Sequence, residues 1–353
     1  MTEGCGINRS FWSRRAVLAG LSGVLAASVS TASATSTATE SRPPAARRFR
    51  IYMVVFRGWT DTDRGFKDYL DANRVPVELI VRDAKGDKGA LAGIAAEIIR
   101  EKPDLVYTWG TTASVEILGP YDSTDPKRYV TAVPSVFANV SNPVDARLTP
   151  NLNGSGRNIA GSTYLAPLDA QLKALRSFRP AQRLGVIYSA DERNSLDVVA
   201  ALRLLTAGAG MSLIERPIQP SRDDAAKRAS LPRLVAEVSG EKADFLYIPP
   251  DSFLSAHGKL LTSAAIEAKL PTFAAAEGTL TGSDALMGLV SRYYNIGKLT
   301  GSLAERILVK GEKPGTMPVT SLSRYSLILN IRVALAIGIY PPMRLLKISE
   351  VIE

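Results

Sequence analysis

Leu105-Val106-Tyr107-Thr108-Trp109-Gly110-Thr111-Thr112-Ala113-Ser114 is the stretch on which the fold turns. Leu105 to Trp109 is a short run of aliphatic, aromatic and β-branched residues, the signature of a buried strand. Gly110 turns the chain, and Thr111 to Leu118 then reads as a helix. The same succession recurs on both sides. Arg50 to Phe56 reads as a strand and Gly65 to Asn73 as a helix; Val77 to Val81 is the next strand and Gly89 to Glu101 the next helix. In that helix Leu91, Ala95, Ile98 and Ile99 recur at helical spacing. Pro134 to Ala138 is a further strand.

Downstream the grammar repeats. Leu165, Leu168, Leu172, Leu175 and Phe178 line one helix face, Leu184 to Tyr188 is a strand, and Leu196 to Ala207 a helix. Met211 to Glu215, Phe245 to Ile248, Thr272 to Ala275, Leu286 to Val290 and Ser326 to Leu329 read as short buried strands. Leu299, Leu303 and Ile307 mark a late helix ending before Gly311. Strands alternating with helices predict an α/β fold of two parallel sheets with helices on both faces. In such sheets, ligands meet the polar residues just past the strands' carboxyl ends.

The N-terminus sets the compartment. Ser13-Arg14-Arg15-Ala16-Val17-Leu18 places paired arginines before a mildly apolar run to Val29, and Ala32-Ser33-Ala34 offers small residues for cleavage. These features predict a twin-arginine signal peptide over 1–34, cleavage after Ala34, a linker over 35–48 and a periplasmic protein. The apolar run is short and rich in Ala, Gly and Ser, which disfavours a spanning anchor. Cys5, the only cysteine, precedes that run, so the exported chain has no disulfide and no lipid-anchoring cysteine. The net charge of +9 is scattered among acids without a basic stripe, which argues against a nucleic-acid partner.

Catalytic motifs are weak. His257 is the sole histidine and lacks companion ligands for a metal; it reads as a capping or surface residue. No serine sits in a nucleophile elbow. Gly154-Ser155-Gly156 lacks the lysine of a phosphate loop. Asp223-Asp224 reads as a solvated helix start. No cofactor is expected.

Several segments together resemble a family of ABC-transporter substrate-binding proteins that includes binding proteins for tryptophan and tyrosine. They are Val133-Pro134-Ser135-Val136-Phe137-Ala138-Asn139-Val140-Ser141-Asn142-Pro143-Val144, Asn158-Ile159-Ala160-Gly161-Ser162, Arg183-Leu184-Gly185-Val186-Ile187-Tyr188 followed by Glu192-Arg193-Asn194-Ser195, and Asp244-Phe245-Leu246-Tyr247-Ile248-Pro249-Pro250-Asp251. Leu329-Asn330 and Ala334 through Pro342 extend the likeness, which runs from about Arg50 to Glu353. The resemblance implies a type I periplasmic-binding-protein architecture: two Rossmann-like lobes, three hinge crossings, and closure on a ligand. The crossings are expected near Gly161 to Leu165, Gly278 to Ser283 and Val319 to Ser323. Lobe 1 would comprise 49–161 plus 283–319, and lobe 2 162–282 plus 320–353.

The polar strand ends supply the candidate ligand residues: Arg57, Trp59, Thr111, Thr112, Asn139, Ser141, Asn142, Tyr164, Asp191, Glu192, Asn194, Ser195, Asp251 and Glu277. Thr111 and Thr112 open a helix suited to an anion, with plain helix capping as the alternative. Arg57 suits a carboxylate. Trp59 and Tyr164 suit an aromatic or cationic group, although Trp59 reads equally as a half-buried lobe residue. The family's Ser-Asp-Pro step is Ser-Asn-Pro here, and Asn142 offers no negative charge to a ligand ammonium. Asp191, Asp251 or Glu277 would have to take that role. The resemblance implies a monomer that captures a small metabolite and hands it to an ABC permease. A sensor presenting its ligand to a membrane receptor or kinase, and an exported α/β enzyme using Asp251 or Glu277, are the alternatives.

Overall fold

The computed structural model describes residues 47–353 apart from Thr124 and Arg222. The expected signal peptide and nearly all of the expected linker lie outside the described residues.

The chain first builds β1 (Phe49–Val55), α1 (Asp61–Ala72), β2 (Val77–Asp83), α2 (Ala90–Glu101), β3 (Leu105–Trp109), α3 (Gly110–Leu118), β4 (Ser135–Val140) and β5 (Ile159–Thr163). These strands form one parallel sheet in the order β2-β1-β3-β4-β5. β2 lies at its edge and carries Glu78, Arg82 and Asp83, charges that suit an edge strand. Helices cover both faces, and the side chains alternate accordingly: Phe137 packs into one apolar layer while its neighbours Val136 and Ala138 pack into the other.

After β5 the chain crosses to a second sheet. It forms α4 (Leu168–Phe178), β6 (Arg183–Ser189), α5 (Arg193–Gly208), β7 (Ser212–Ile218), α6 (Asp224–Gly240), β8 (Phe245–Ile248), α7 (Ser252–Ala256), α8 (Gly258–Glu267), β9 (Thr272–Ala274), α9 (Glu277–Gly282) and β10 (Met287–Val290). A second crossing returns it to the first sheet as α10 (Tyr293–Leu308), which packs along α1. A third delivers β11 (Ser326–Asn330), α11 (Ile331–Ala336), α12 (Met343–Leu346) and β12 (Glu350–Ile352) to the second sheet. That sheet has the order β12-β11-β10-β9-β8-β6-β7. Its two faces are again separate cores, with Phe245 and Tyr247 on one side and Leu246 and Ile248 on the other.

Two expectations are corrected. The middle crossing lies at Ser291 and Arg292, not at Gly278 to Ser283, because that segment folds as α9 and β10 then joins the second sheet. Residues 283–290 therefore belong with the second sheet. That sheet is also not wholly parallel, since β11 runs antiparallel to β10. The third crossing brings the chain in from the opposite end, and burial patterns do not encode strand direction.

The return of α10 depends on small residues. A Cβ on Gly297 would lie 1.9 Å from the Thr62 carbonyl oxygen, and one on Gly65 would lie 2.0 Å from that of Tyr294. Glycine permits this backbone approach, and the helix after the middle crossing is thereby locked onto the first lobe. α1 is fixed at its start by a capping box in which Thr60 and Asp63 satisfy each other's ends. Asp63 also accepts from the buried Tyr107 hydroxyl at 2.8 Å. Burial raises both groups' pKa values, so the phenol keeps its proton.

Candidate ligand-binding site

The carboxyl ends of both sheets face a shared cavity of about 990 Å³. From the first lobe it is walled by Phe56, Arg57, Thr111, Thr112, Asp145 and Arg147, among others. From the second lobe come Asp191, Glu192, Arg193, Lys227, Phe253 and His257.

Gly110 makes the first wall possible. Its φ of +81° turns β3 directly into α3 without a linker. α3 begins at Gly110, so Trp109 occupies the capping position and makes no side-chain cap bond. Thr111 and Thr112 consequently do not cap the helix, which removes the structural alternative considered for them. Their first-turn position places them beside amides that lack intrahelical partners.

The second lobe presents the start of α5 and the start of α6, which carry Arg193 and Lys227 respectively. The N-termini of the longer helices α3, α5 and α6, and the start of the short α7, thus contribute residues to the walls. Their dipoles favour negative charge in the cavity.

Two arginines cross between the lobes in opposite directions. Arg57 donates to the Ser252 carbonyl, and Arg193 donates to the Asp145 carbonyl at 2.9 Å. Glu192 lies beside the first contact. It accepts from the Ser252 amide at 2.8 Å and the Phe253 amide at 3.0 Å. Burial, followed by the neighbouring Asp251 carboxylate, pushes the Glu192 carboxyl up to about 7; the two amides and Arg57 oppose that rise.

Other expected ligand residues have different roles. Asp251 accepts from the Ser189 amide and hydroxyl, the Ser195 hydroxyl and the Leu254 amide, at 2.7–3.1 Å. Asn194 donates to the Pro250 carbonyl at 2.6 Å, as does Ser195 at 3.0 Å. Asp251, Asn194 and Ser195 therefore form a knot tying the loop after β6 to the loop after β8. Asn142 folds back on its own turn, accepting from the Val144 and Asp145 amides. Glu277 is engaged by Arg292 at 2.8 Å and by the Tyr293 amide, and it borders a separate cleft. Of the acids considered for a ligand ammonium, Asp251 and Glu277 are thus committed elsewhere, whereas Asp191 faces the cavity.

Trp59 is 47% exposed and is not one of the cavity walls. Tyr164 is buried at the first crossing, where its ring meets Tyr293 of the second at 5.7 Å edge to face. Burial raises both phenols, Tyr293 to about 12. Ser141 is buried past β4, and its carbonyl accepts from Thr163. Asn139 sits at a left-handed φ of +54°, buried, with neither amide atom hydrogen-bonded among the described residues.

Lys227, Phe253 and His257 are walls that strand-end reasoning missed, because they lie within or between helices. His257 occupies the cap positions between α7 and α8, as expected, with its amide donating to the Phe253 carbonyl; its ring makes no cap bond and packs 4.6 Å from that of Phe253. Among the described residues no group of three or more His, Cys, Asp or Glu side chains is placed to hold a metal ion.

Two α/β lobes, three crossings and a polar interlobe cavity define a protein of the periplasmic-binding class. Residues 56–352 match the family described as ABC transporter substrate binding protein, and the chain belongs to that family. It is similar to the tyrosine-binding protein of Clostridioides difficile (strain R20291), with 27% identity over 265 residues, 75% of this chain and 71% of the relative. It superposes on a conserved domain protein from Vibrio cholerae O1 biovar El Tor (strain N16961) with a TM-score of 0.76 at 24% identity, covering 87% of this chain and 100% of that one. An ABC domain from Streptococcus pneumonia, solved in complex with L-Trp, gives a TM-score of 0.75 at 22% identity with the same coverage of both chains.

The chain is accordingly a solute-capturing component of an ABC importer, in a family of binding proteins and not of enzymes. Such components work outside the cytoplasmic membrane. Among the described residues no helix is long and apolar enough to cross one.

Proposed function

We propose that this protein is exported by the twin-arginine route, loses its signal after Ala34, and works as a periplasmic monomer. It captures a small carboxylate, such as an aromatic or other amino acid, between its lobes and delivers it chemically unchanged to the importer's permease. The carrying observation is the cavity of about 990 Å³ bounded by strand ends and helix N-termini of both lobes. Thr111, Thr112 and the amides of the first turn of α3 suit a carboxylate, with Arg57 as its counter-charge. Asp191, which faces the cavity, is the acid that suits an ammonium. Phe56, Tyr129 and Phe253 supply apolar and aromatic wall for the body of the solute. The kinship to a tyrosine-binding protein supports an amino-acid ligand. The altered Asn142 removes one acid without emptying the cleft of negative charge.

Native mass spectrometry of the purified protein, followed by titration with amino acids and small carboxylates, tests the reading. A retained small acid and a saturable heat of binding are expected. Turnover of the bound compound, or indifference to every amino acid and carboxylate tried, would refute it.

A further inference from the structure

Lys227 stands apart from the other cations of the cavity. Lys88, Arg147 and Arg193 line the same space and are ion-paired at closer range, to Glu116, Asp122 and Asp197, Arg57 donates to the Ser252 carbonyl, and Lys85 is exposed to water. The Lys227 side chain is only 9% exposed. Its ammonium lies 4.6 Å from the centre of the Phe253 ring. Its ion-pair partner, Asp191, has its oxygen 4.0 Å away, too far for a hydrogen bond. An ammonium carries three donors, and burying it without acceptors is costly. A cation held against an aromatic face at a cavity wall is placed to receive an anion from within that cavity.

We infer that Lys227 forms a second anionic subsite, so that the favoured solutes are dicarboxylates or amino acids with an additional acidic group. The inference rests on the capture reading above. One acidic group of the solute occupies the first turn of α3 and Arg57. The other meets Lys227 on the opposite lobe, with the Phe253 and His257 rings beside it. The cavity has room for such a molecule, since its volume lies near the top of the roughly 300–1,000 Å³ range of small-ligand sites. Asp191 and Asp224 also line this wall. Asp191 is 43% exposed in its side chain, so water screens its charge more than that of Lys227 at 9%.

The test uses calorimetric titration of the purified protein with matched pairs of probes: L-phenylalanine against 4-carboxy-L-phenylalanine, and benzoate against terephthalate. The wild-type protein should prefer the diacid of a pair by about tenfold or more, the scale of one charge-assisted hydrogen bond. Lys227→Met, which keeps the stem over Phe253, should bring that ratio close to one, and Lys227→Arg should restore it. Acetylation of wild-type Lys227, read by peptide mass, should be slowed by the diacid and not by the monoacid, a measurement independent of the variants' folding. Equal affinity for both members of each pair, or a preference that survives Lys227→Met, overturns the subsite and leaves capture standing. Absence of binding by every probe overturns the subsite, while the capture reading is decided by the wider panel of amino acids and carboxylates above.

Discussion

Arg57, which follows the first strand of one lobe, donates to the main-chain carbonyl of Ser252 at the start of α7 in the other. The same two α7 amides that approach Glu192 lie beside this contact, so a cation, a carboxyl and a helix start meet at the seam between the lobes.

Arg57→Met keeps the apolar stem and removes the clasp. The loss of a hydrogen bond to a charged donor, about 1.5–3 kcal/mol, should shift the ensemble toward open forms. Small-angle scattering of the ligand-free protein should show a larger radius of gyration than wild type. Carboxylate affinity should fall about tenfold or more. An unchanged radius with unchanged affinity would remove Arg57 from both closure and binding.

Glu192 makes stability depend on pH. Its carboxyl sits at about 7 in the native protein against an ordinary value of 4.5. Between those values the folded chain holds a proton that the unfolded chain has released, so stability is full at low pH and declines as pH rises toward 7. The decline is at most about 3 kcal/mol, and above pH 7 this contribution is flat. Denaturant unfolding from pH 4.5 to 8 should show this slope, and Glu192→Gln should flatten it. An identical slope in wild type and variant would contradict the burial account.

Asp251 tests structure against ligand contact. Its carboxylate is occupied by donors from Ser189, Ser195 and Leu254. Asp251→Asn sets an amide N–H against some of those donors and should cost about 2–4 kcal/mol in unfolding free energy. Full stability with lost binding would instead return Asp251 to the ligand.

Gly297→Ala should destabilise the protein through the α1–α10 contact. The added methyl meets the Thr62 carbonyl oxygen at 1.9 Å and the Phe66 amide nitrogen at 2.7 Å, both backbone atoms that cannot rotate away. A loss of about 1–3 kcal/mol or more is expected in denaturant unfolding. A silent substitution would mean that the helices part without cost.

Most of the alternation was legible because buried strands and amphipathic helices write their periods into short windows. Leu105–Trp109 and Phe245–Ile248 fall where the apolar runs put them. The middle crossing, taken from the family resemblance, was placed too early in the chain: Glu277 opens α9 and is held by Arg292 and Tyr293, and β10 joins the second sheet before the chain crosses. Only contacts made after folding fix that point. His257 was legible as a capping residue, but its local sequence carries no mark of the Phe253 ring it meets or of the cavity it lines.

Hydrophobic period and glycine placement, both local, determined that this chain makes two α/β layers with polar strand ends, and ordered motifs determined its family. Tertiary structure decided which polar ends face the interlobe cavity. Asp251 and Asn194 turned inward to satisfy buried amides and carbonyls, since an unpaired buried group costs more than a solvated one, and Asn142 folded onto its own turn. Lys227 and Phe253, silent in the sequence, came to the cavity because α6 and α7 pack at its second wall. Such placement depends on distances between segments far apart in the chain, which no window of sequence contains.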